Sequence, residues 1–192
     1  MTPALRTGPA LAPCAGAAKC LNHKPVAANS PRILLIMGVA GSGKTTLGQR
    51  AAAALGWRYF EADDFHSAAN KAKMAAGTPL NDEDRAPWLA ALRSKMDAER
   101  AAGRSAVFTC SALKERYRGV LMGGADNVVL VYLSGDFETI LARVGSRQGH
   151  YMKADMVRSQ FEALEPPKDA LTLEVRESPD ALLAKILAAA RG

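Results

Sequence analysis

Cysteine and histidine are scarce in this sequence, with three of each. Cys14, Cys20 and Cys110 form an odd set with no regular spacing. That excludes a secreted disulfide scaffold and suits a reducing compartment. Cys14, Cys20 and His23 lie near one another, but a fourth ligand is missing, so they do not read as a structural zinc site. Aromatic residues make up only 6% of the chain and are not interleaved with a dense basic stripe. The net charge of +6 therefore does not announce a nucleic-acid partner. It suits an enzyme that handles anions. No apolar run approaches the roughly 20 residues of a membrane helix, so no membrane partner is expected, and the cysteine usage makes the cytoplasm the expected location. Acidic residues are absent from residues 1–30, which carry Arg6, Lys19 and Lys24 among Ala, Pro and Gly. This stretch shows neither strand nor helix periodicity and lacks the compact apolar core of a signal peptide. It reads as a disordered extension, leaving 31–192 as the folded domain.

What is present is alternation. Ile33–Met37 is a short apolar run of the kind that a strand buried on both faces shows. The stretch TTLGQRAAAALG then reads as a helix stopped by Gly56. Strand signals recur at Trp57–Glu61, Ala106–Cys110, Asn127–Leu133 and Leu171–Val175. Helical signals lie between them, at Ala68–Ala76, Arg85–Ala102, Lys114–Met122, from Asp136 onward, at Asp155–Leu164 and at Asp180–Ala190. Such an order calls for an α/β fold, a parallel sheet with helices on both faces. Two stretches interrupt it, Asp63–Leu80 and Gly145–Lys153. Binding groups are usually carried on such interruptions.

Between the first strand and the first helix stands Gly38-Val39-Ala40-Gly41-Ser42-Gly43-Lys44-Thr45, followed by Thr46. It matches the phosphate-binding pattern G-x-x-x-x-G-K-[ST] in the structural context the pattern needs. Glycines let main-chain N–H groups turn in around an anion, and the helix N-terminus adds further donors. Lys44 would reach the β- and γ-phosphates of ATP, and the Thr45 hydroxyl would ligate Mg²⁺. A guanine-reading Asn-Lys-x-Asp is absent, since NKAK at Asn70–Lys73 ends in lysine. No apolar strand ends directly in aspartate as in a motor ATPase. A small-molecule kinase is the subclass left.

Such a kinase needs a base and a positive clamp. Asp63, in the acidic segment EADDFH after the second strand, is the candidate base for the acceptor hydroxyl. Glu61 or Asp64 could position Mg²⁺ through water. Arg143 and Arg147, with His150 and Lys153 nearby, would form a lid of about residues 143–153, hinged at Gly145 and Gly149, that stabilises transition-state charge. Cys110 reads as a small buried residue and Trp88 as a core anchor.

Taken together, GVAGSGKTT, EADDFHSAANKAKMAAGTPLNDEDRAPWL, CSALKERYR and RQGHYM with SQFEALEPP resemble the gluconokinases, which phosphorylate D-gluconate on its 6-hydroxyl with ATP. The resemblance covers Arg32 to the C-terminus. It implies a P-loop, nucleoside-monophosphate-kinase-like three-layer fold: a five-stranded parallel sheet in order 2-3-1-4-5, helices on both faces, and a lid. It also implies a homodimer. Gly38, Val39, Ala40, Gly41, Ser42, Gly43, Lys44, Thr45 and Thr46 would hold ATP and Mg²⁺. Asp63, His66, Lys73, Arg85, Ser111, Lys114 and Arg118 would line the gluconate site, and Arg143 and Arg147 match the lid arginines. For the substrate carboxylate Arg85 is the first choice, with Lys73, Lys114 and Arg118 as rivals. Gln160 falls in a matched segment as either a substrate contact or a packing residue. Ser67 departs from the pattern, because the family often has proline after the histidine. Another small-molecule kinase of the same fold, or a nucleotide-dependent regulatory protein, remains the alternative.

Overall fold

The five strand signals become five parallel strands in the computed structural model, which describes residues 31–145 and 154–192. Residues 1–30, including Cys14, Cys20 and His23, lie outside the described residues. So do residues 146–153, with Arg147, Gly149, His150 and Lys153. The strands are β1 (Ile33–Met37), β2 (Arg58–Glu61), β3 (Ala106–Thr109), β4 (Val128–Ser134) and β5 (Leu171–Glu174). Their order across the sheet is β2-β3-β1-β4-β5. The central strand β1 pairs with β3 on one side and β4 on the other, with Ile36 opposite Thr109 and Met37 opposite Tyr132. Every β1 side chain is buried, which is why its sequence is a continuous apolar run instead of an alternating one.

The period of two sends β1 side chains to opposite faces, and each face has its own core. Ile33, Leu35 and Met37 pack with Trp88, Leu89, Leu92 and Met96 of α3 (Asp82–Ala101) and with Tyr117 and Leu121 of α4 (Glu115–Met122). Leu34 and Ile36 pack on the other face against Leu47 and Ala51 of α1 (Lys44–Leu55), Ile140 and Val144 of α5 (Phe137–Gly145), Val157 of α6 (Ala154–Ala163), and Leu182 and Ile186 of α7 (Pro179–Arg191). Each fully buried Leu or Ile contributes about 1.5–3 kcal/mol. The two cores together make the three-layer arrangement, and the sheet order is the one the resemblance implied.

Local chemistry sets the element ends. Gly56 closes α1 in the left-handed conformation, as its position predicts. Helix α3 begins at Asp82, earlier than the apolar pattern indicates, because Asn81 and Asp84 form a reciprocal capping box. Asp136 accepts from the Thr139 N–H at 2.9 Å and starts α5. Between β2 and α3 the chain makes a 3₁₀ turn, Ala62–Phe65, and then α2 (Ala68–Ala75). Ser67, where the family often has proline, caps α2 by accepting from the Asn70 N–H at 3.1 Å. A side-chain constraint thus stands in for the missing ring.

A parallel sheet places all five carboxyl ends on one edge. The segments that follow β1, β2, β3 and β4 therefore open onto the same crevice, where ligands bind in open α/β sheets.

Candidate active site

The loop between β1 and α1 is shaped by glycines, two of which leave no room for a side chain. Gly38 has φ 148° and Gly41 φ 84°. A Cβ on Gly38 would lie 2.8 Å from the Leu133 carbonyl oxygen, and one on Gly41 would lie 2.5 Å from the Val144 methyl. The loop is thus packed onto β4 and α5 as closely as its backbone allows. Inside it, the Ser42 N–H donates to the Val39 carbonyl at 3.2 Å. Lys44 folds back and donates from Nζ to the same carbonyl at 3.0 Å, which holds the ammonium over the loop. The N–H groups of Thr45 and Thr46 lie in the first turn of α1, where helix geometry supplies no internal acceptor. Ser42 Oγ is buried and has no hydrogen-bond partner among the described residues. A buried hydroxyl, inward-turning glycines and a helix N-terminus fit a triphosphate.

Glu61 ends β2 beside this cradle. Its Oε2 accepts from the Thr45 hydroxyl at 2.9 Å and from the Tyr59 hydroxyl at 2.5 Å. Tyr59 has one proton and gives it to Glu61, so Thr109 must donate across the 2.9 Å contact to the Tyr59 oxygen. Burial first, and the bond to Glu61 second, push the Tyr59 phenol above its ordinary value. It therefore stays a donor. The tyrosine ring lies against Gly48 of α1, where a Cβ would come within 2.9 Å of it. Close approach of α1 to the sheet is what brings Thr45 to Glu61. The Thr45 hydroxyl beside the Glu61 carboxylate is an all-oxygen donor set that suits Mg²⁺. No larger cluster of metal-ligating side chains occurs among the described residues.

Asp63 stands exposed in the 3₁₀ turn after β2. Its charge, like those of Glu61 and Lys44, acts on the buried Cys110 thiol at the end of β3. Burial is the main force pushing that thiol up to about 12, so Cys110 is an inert core residue. His66 stacks on Trp88 with ring centroids 4.4 Å apart, and the Trp88 indole donates to the Ala62 carbonyl at 2.7 Å. Trp88 is therefore the anchor under this turn. His66 Nδ1 is buried without a partner among the described residues. Burial, the largest influence, lowers the His66 pKa, against the pull of Asp63 and with help from Arg85 and Lys71.

The remaining cations fall into three environments. Lys73 of α2 pairs with Asp84 at 2.7 Å, and Lys114 pairs with Asp82 at 3.4 Å. Asp82 also accepts from Arg116 and from the Tyr117 hydroxyl. Arg85 donates to the Leu80 carbonyl and has its guanidinium carbon 6.0 Å from the Tyr117 ring centre. Arg118 differs from these because it is 6% exposed. It donates to the carbonyls of Ala112 and Leu113 at 3.0 and 2.9 Å, bracing the loop from beneath. Ala112 has φ 44°, and no other non-glycine residue described is left-handed. Ser111 lies between it and β3, half-buried in the same loop. Arg143, in the last turn of α5, donates to the Val175 carbonyl at the carboxyl end of β5. Its companion Arg147 falls outside the described residues. The sequence reading passed over the Tyr59–Thr109 pair and the acids Asp82 and Asp84. The acids appeared only as part of the NDED run, and nothing in one dimension marks a buried threonine as a hydrogen-bond donor.

The comparisons agree with this geometry. A family model described as "AAA domain" matches residues 33–167. A mouse protein named "Probable gluconokinase" is 43% identical over 155 residues, covering 72% of this chain and 84% of the mouse protein. The "Thermosensitive gluconokinase" of Escherichia coli K12 is 45% identical over 134 residues, covering 70% of this chain and 72% of its own. A crystal structure of a gluconokinase from Sinorhizobium meliloti 1021 superposes with a TM-score of 0.76 at 34% identity, over 84% of this chain and 93% of that one. With the phosphate loop, the sheet order and the acid-bearing turn in place, the chain belongs to the gluconokinase family of P-loop kinases.

Proposed function

We propose that this protein transfers the γ-phosphoryl group of ATP to the 6-hydroxyl of D-gluconate, giving ADP and 6-phosphogluconate. The observation that carries the reading is convergence. The glycine cradle with Lys44, the Glu61–Thr45 pair and Asp63 all leave the carboxyl edge of one parallel sheet. The relatives named above bear the gluconokinase name on that same framework.

The reaction divides among named residues. Main-chain N–H groups of the loop and the Lys44 ammonium hold the β- and γ-phosphates. Thr45 would hold the Mg²⁺, with Glu61 orienting the Thr45 hydroxyl through their 2.9 Å hydrogen bond. When bound there, the cation would neutralise phosphate charge. Asp63 accepts the proton of the attacking hydroxyl as its oxygen bonds to phosphorus and the bond to the ADP oxygen breaks. Arg143 and Arg147 neutralise charge on the equatorial oxygens. Gluconate lies over the Asp63–His66 turn and the Ser111–Lys114 loop. Its carboxylate takes Arg85 as first partner, because a guanidinium can offer two parallel donors. Lys73 and Lys114 already neutralise Asp84 and Asp82, and Arg118 holds loop carbonyls, so these three rank behind Arg85. A homodimer and a cytoplasmic location belong to the same proposal, and the folded unit is 31–192.

The test is an acceptor screen with ATP and Mg²⁺ across sugar acids, shikimate and nucleoside monophosphates. ADP should form with gluconate. Turnover of shikimate or a nucleotide in its place would assign another kinase of this fold, and ATP binding without any turnover would assign a regulatory protein.

A further inference from the structure

Helix α6 and the residues after it touch both halves of the proposed reaction centre, although neither half contains them. On the nucleotide side, Gln160 accepts the Ala40 N–H at Oε1 over 2.7 Å, from 120 residues away in sequence. Ala40 is the residue just before Gly41, in the turn whose backbone is packed onto α5. On the acceptor side, the Glu165 N–H donates to the Leu113 carbonyl at 2.9 Å. The Glu165 carboxylate accepts the N–H of Glu115, the first residue of α4, at 2.5 Å. Lys114, the N-cap of α4, offers no side-chain cap, so Glu165 supplies one from outside and places negative charge at the helix N-terminus. Between the two ties, Leu164 packs against both apolar cores. Pro166 and Pro167 follow immediately and limit the backbone beyond.

We infer that Gln160 is a positioning residue for phosphoryl transfer: with Glu165 it forms a brace that fixes the separation between the phosphate loop and the Ser111–Lys114 loop. The inference rests on the kinase reading above. In-line transfer needs donor and acceptor held within a few tenths of an ångström, so a small error in spacing costs rate while leaving each ligand bound. A neutral amide suits the position. It accepts the Ala40 N–H without bringing a negative charge to a loop that cradles phosphates. A glutamate would keep the hydrogen bond and add that charge.

Three variants test the brace. Gln160→Ala should lower kcat with gluconate about tenfold or more while the ATP dissociation constant, measured without gluconate, stays within about threefold. Gln160→Glu should raise KM for ATP but recover kcat above that of Gln160→Ala at saturating ATP. Glu165→Ala should lower kcat like Gln160→Ala, and the double variant should lose little more than the worse single one. Independently of turnover, amide exchange at Ala40 should speed up in Gln160→Ala while melting temperature changes little. Wild-type kcat retained in Gln160→Ala, no recovery in Gln160→Glu, or full additivity in the double variant would overturn the brace. Failure of the wild-type protein to use gluconate would instead overturn the functional reading, and the Ala40 exchange result would still decide whether the tie exists.

Discussion

Asp63 and Lys44 come from opposite ends of the first β-α-β crossover and open onto the same crevice only because β1 and β2 end on the same edge of the sheet. In the proposed reaction their roles differ in kind, since Lys44 would hold ground state and transition state alike, whereas Asp63 would act when the acceptor proton leaves. Asp63→Asn would remove the proposed base but keep size and a polar contact. Turnover with gluconate should fall by two to four orders of magnitude, on the order of a lost general base, while calorimetric ATP affinity stays near wild type. A variant with unchanged kcat would remove Asp63 from the chemistry. His66 beside it is neutral at pH 7, because burial lowers its pKa. It can therefore accept or donate one hydrogen bond to a polyol without adding charge to the site. Both residues are legible in the segment EADDFH. The stacking of His66 on Trp88 is not, because the two are brought together by the return of α3 under the turn.

At the scale of elements, the phosphate loop is a rigid object whose shape is set by what surrounds it. Gly41→Ala would place a methyl against Val144 and force a left-handed alanine. That should raise KM for ATP at least tenfold, with a loss of stability of about 1–3 kcal/mol. Retained ATP affinity would mean that the loop can open away from α5. The strands were readable to within a residue or two, β1 as an apolar run, and α1 with its Gly56 stop was readable throughout. The start of α3 was misjudged because the capping box at Asn81 carries no apolar signal, and the 3₁₀ turn at Ala62–Phe65 is too short to show a period. The loop Cys110–Lys114 looked like a substrate wall. It is also a strained segment, held by Arg118 from below and Glu165 from the side.

Across the whole molecule, the edge of the sheet opposite the site is fastened by one buried carboxylate. Glu99 of α3 is fully buried and meets Arg58 at 3.0 Å, Lys95 at 2.8 Å and Arg104 at 2.7 Å. Arg58 begins β2 and Arg104 precedes β3, so Glu99 ties α3 to two strands. The Arg104 bond, above all, holds its carboxyl at about 2, against an ordinary 4.5. A depressed carboxyl pKa contributes stability above 4.5 that is lost as pH falls from there toward 2. Glu99→Gln should destabilise the protein at pH 7 by about 2 kcal/mol, since the three cations are partly exposed and can rehydrate. In urea melts the gap to wild type should narrow between pH 4.5 and pH 2.5. A gap that is constant with pH would mean that the cluster is packing, not charge. His66 adds to the same acid side: its lowered pKa supplies stability above about pH 6.5 that is lost below it.

The sequence alone determined the alternating fold class, the phosphate cradle, the acid-bearing segment after the second strand and the family, because each is written in short contiguous patterns whose chemistry is local. Only the tertiary structure decided the partners of those groups. It made Arg118 a loop brace, set Tyr59 and Thr109 behind Glu61, gathered three cations on Glu99, and carried Gln160 to Ala40. The physical reason is that a hydrogen bond or ion pair depends on distance in space. Parallel crossovers bring together residues that no sequence spacing relates.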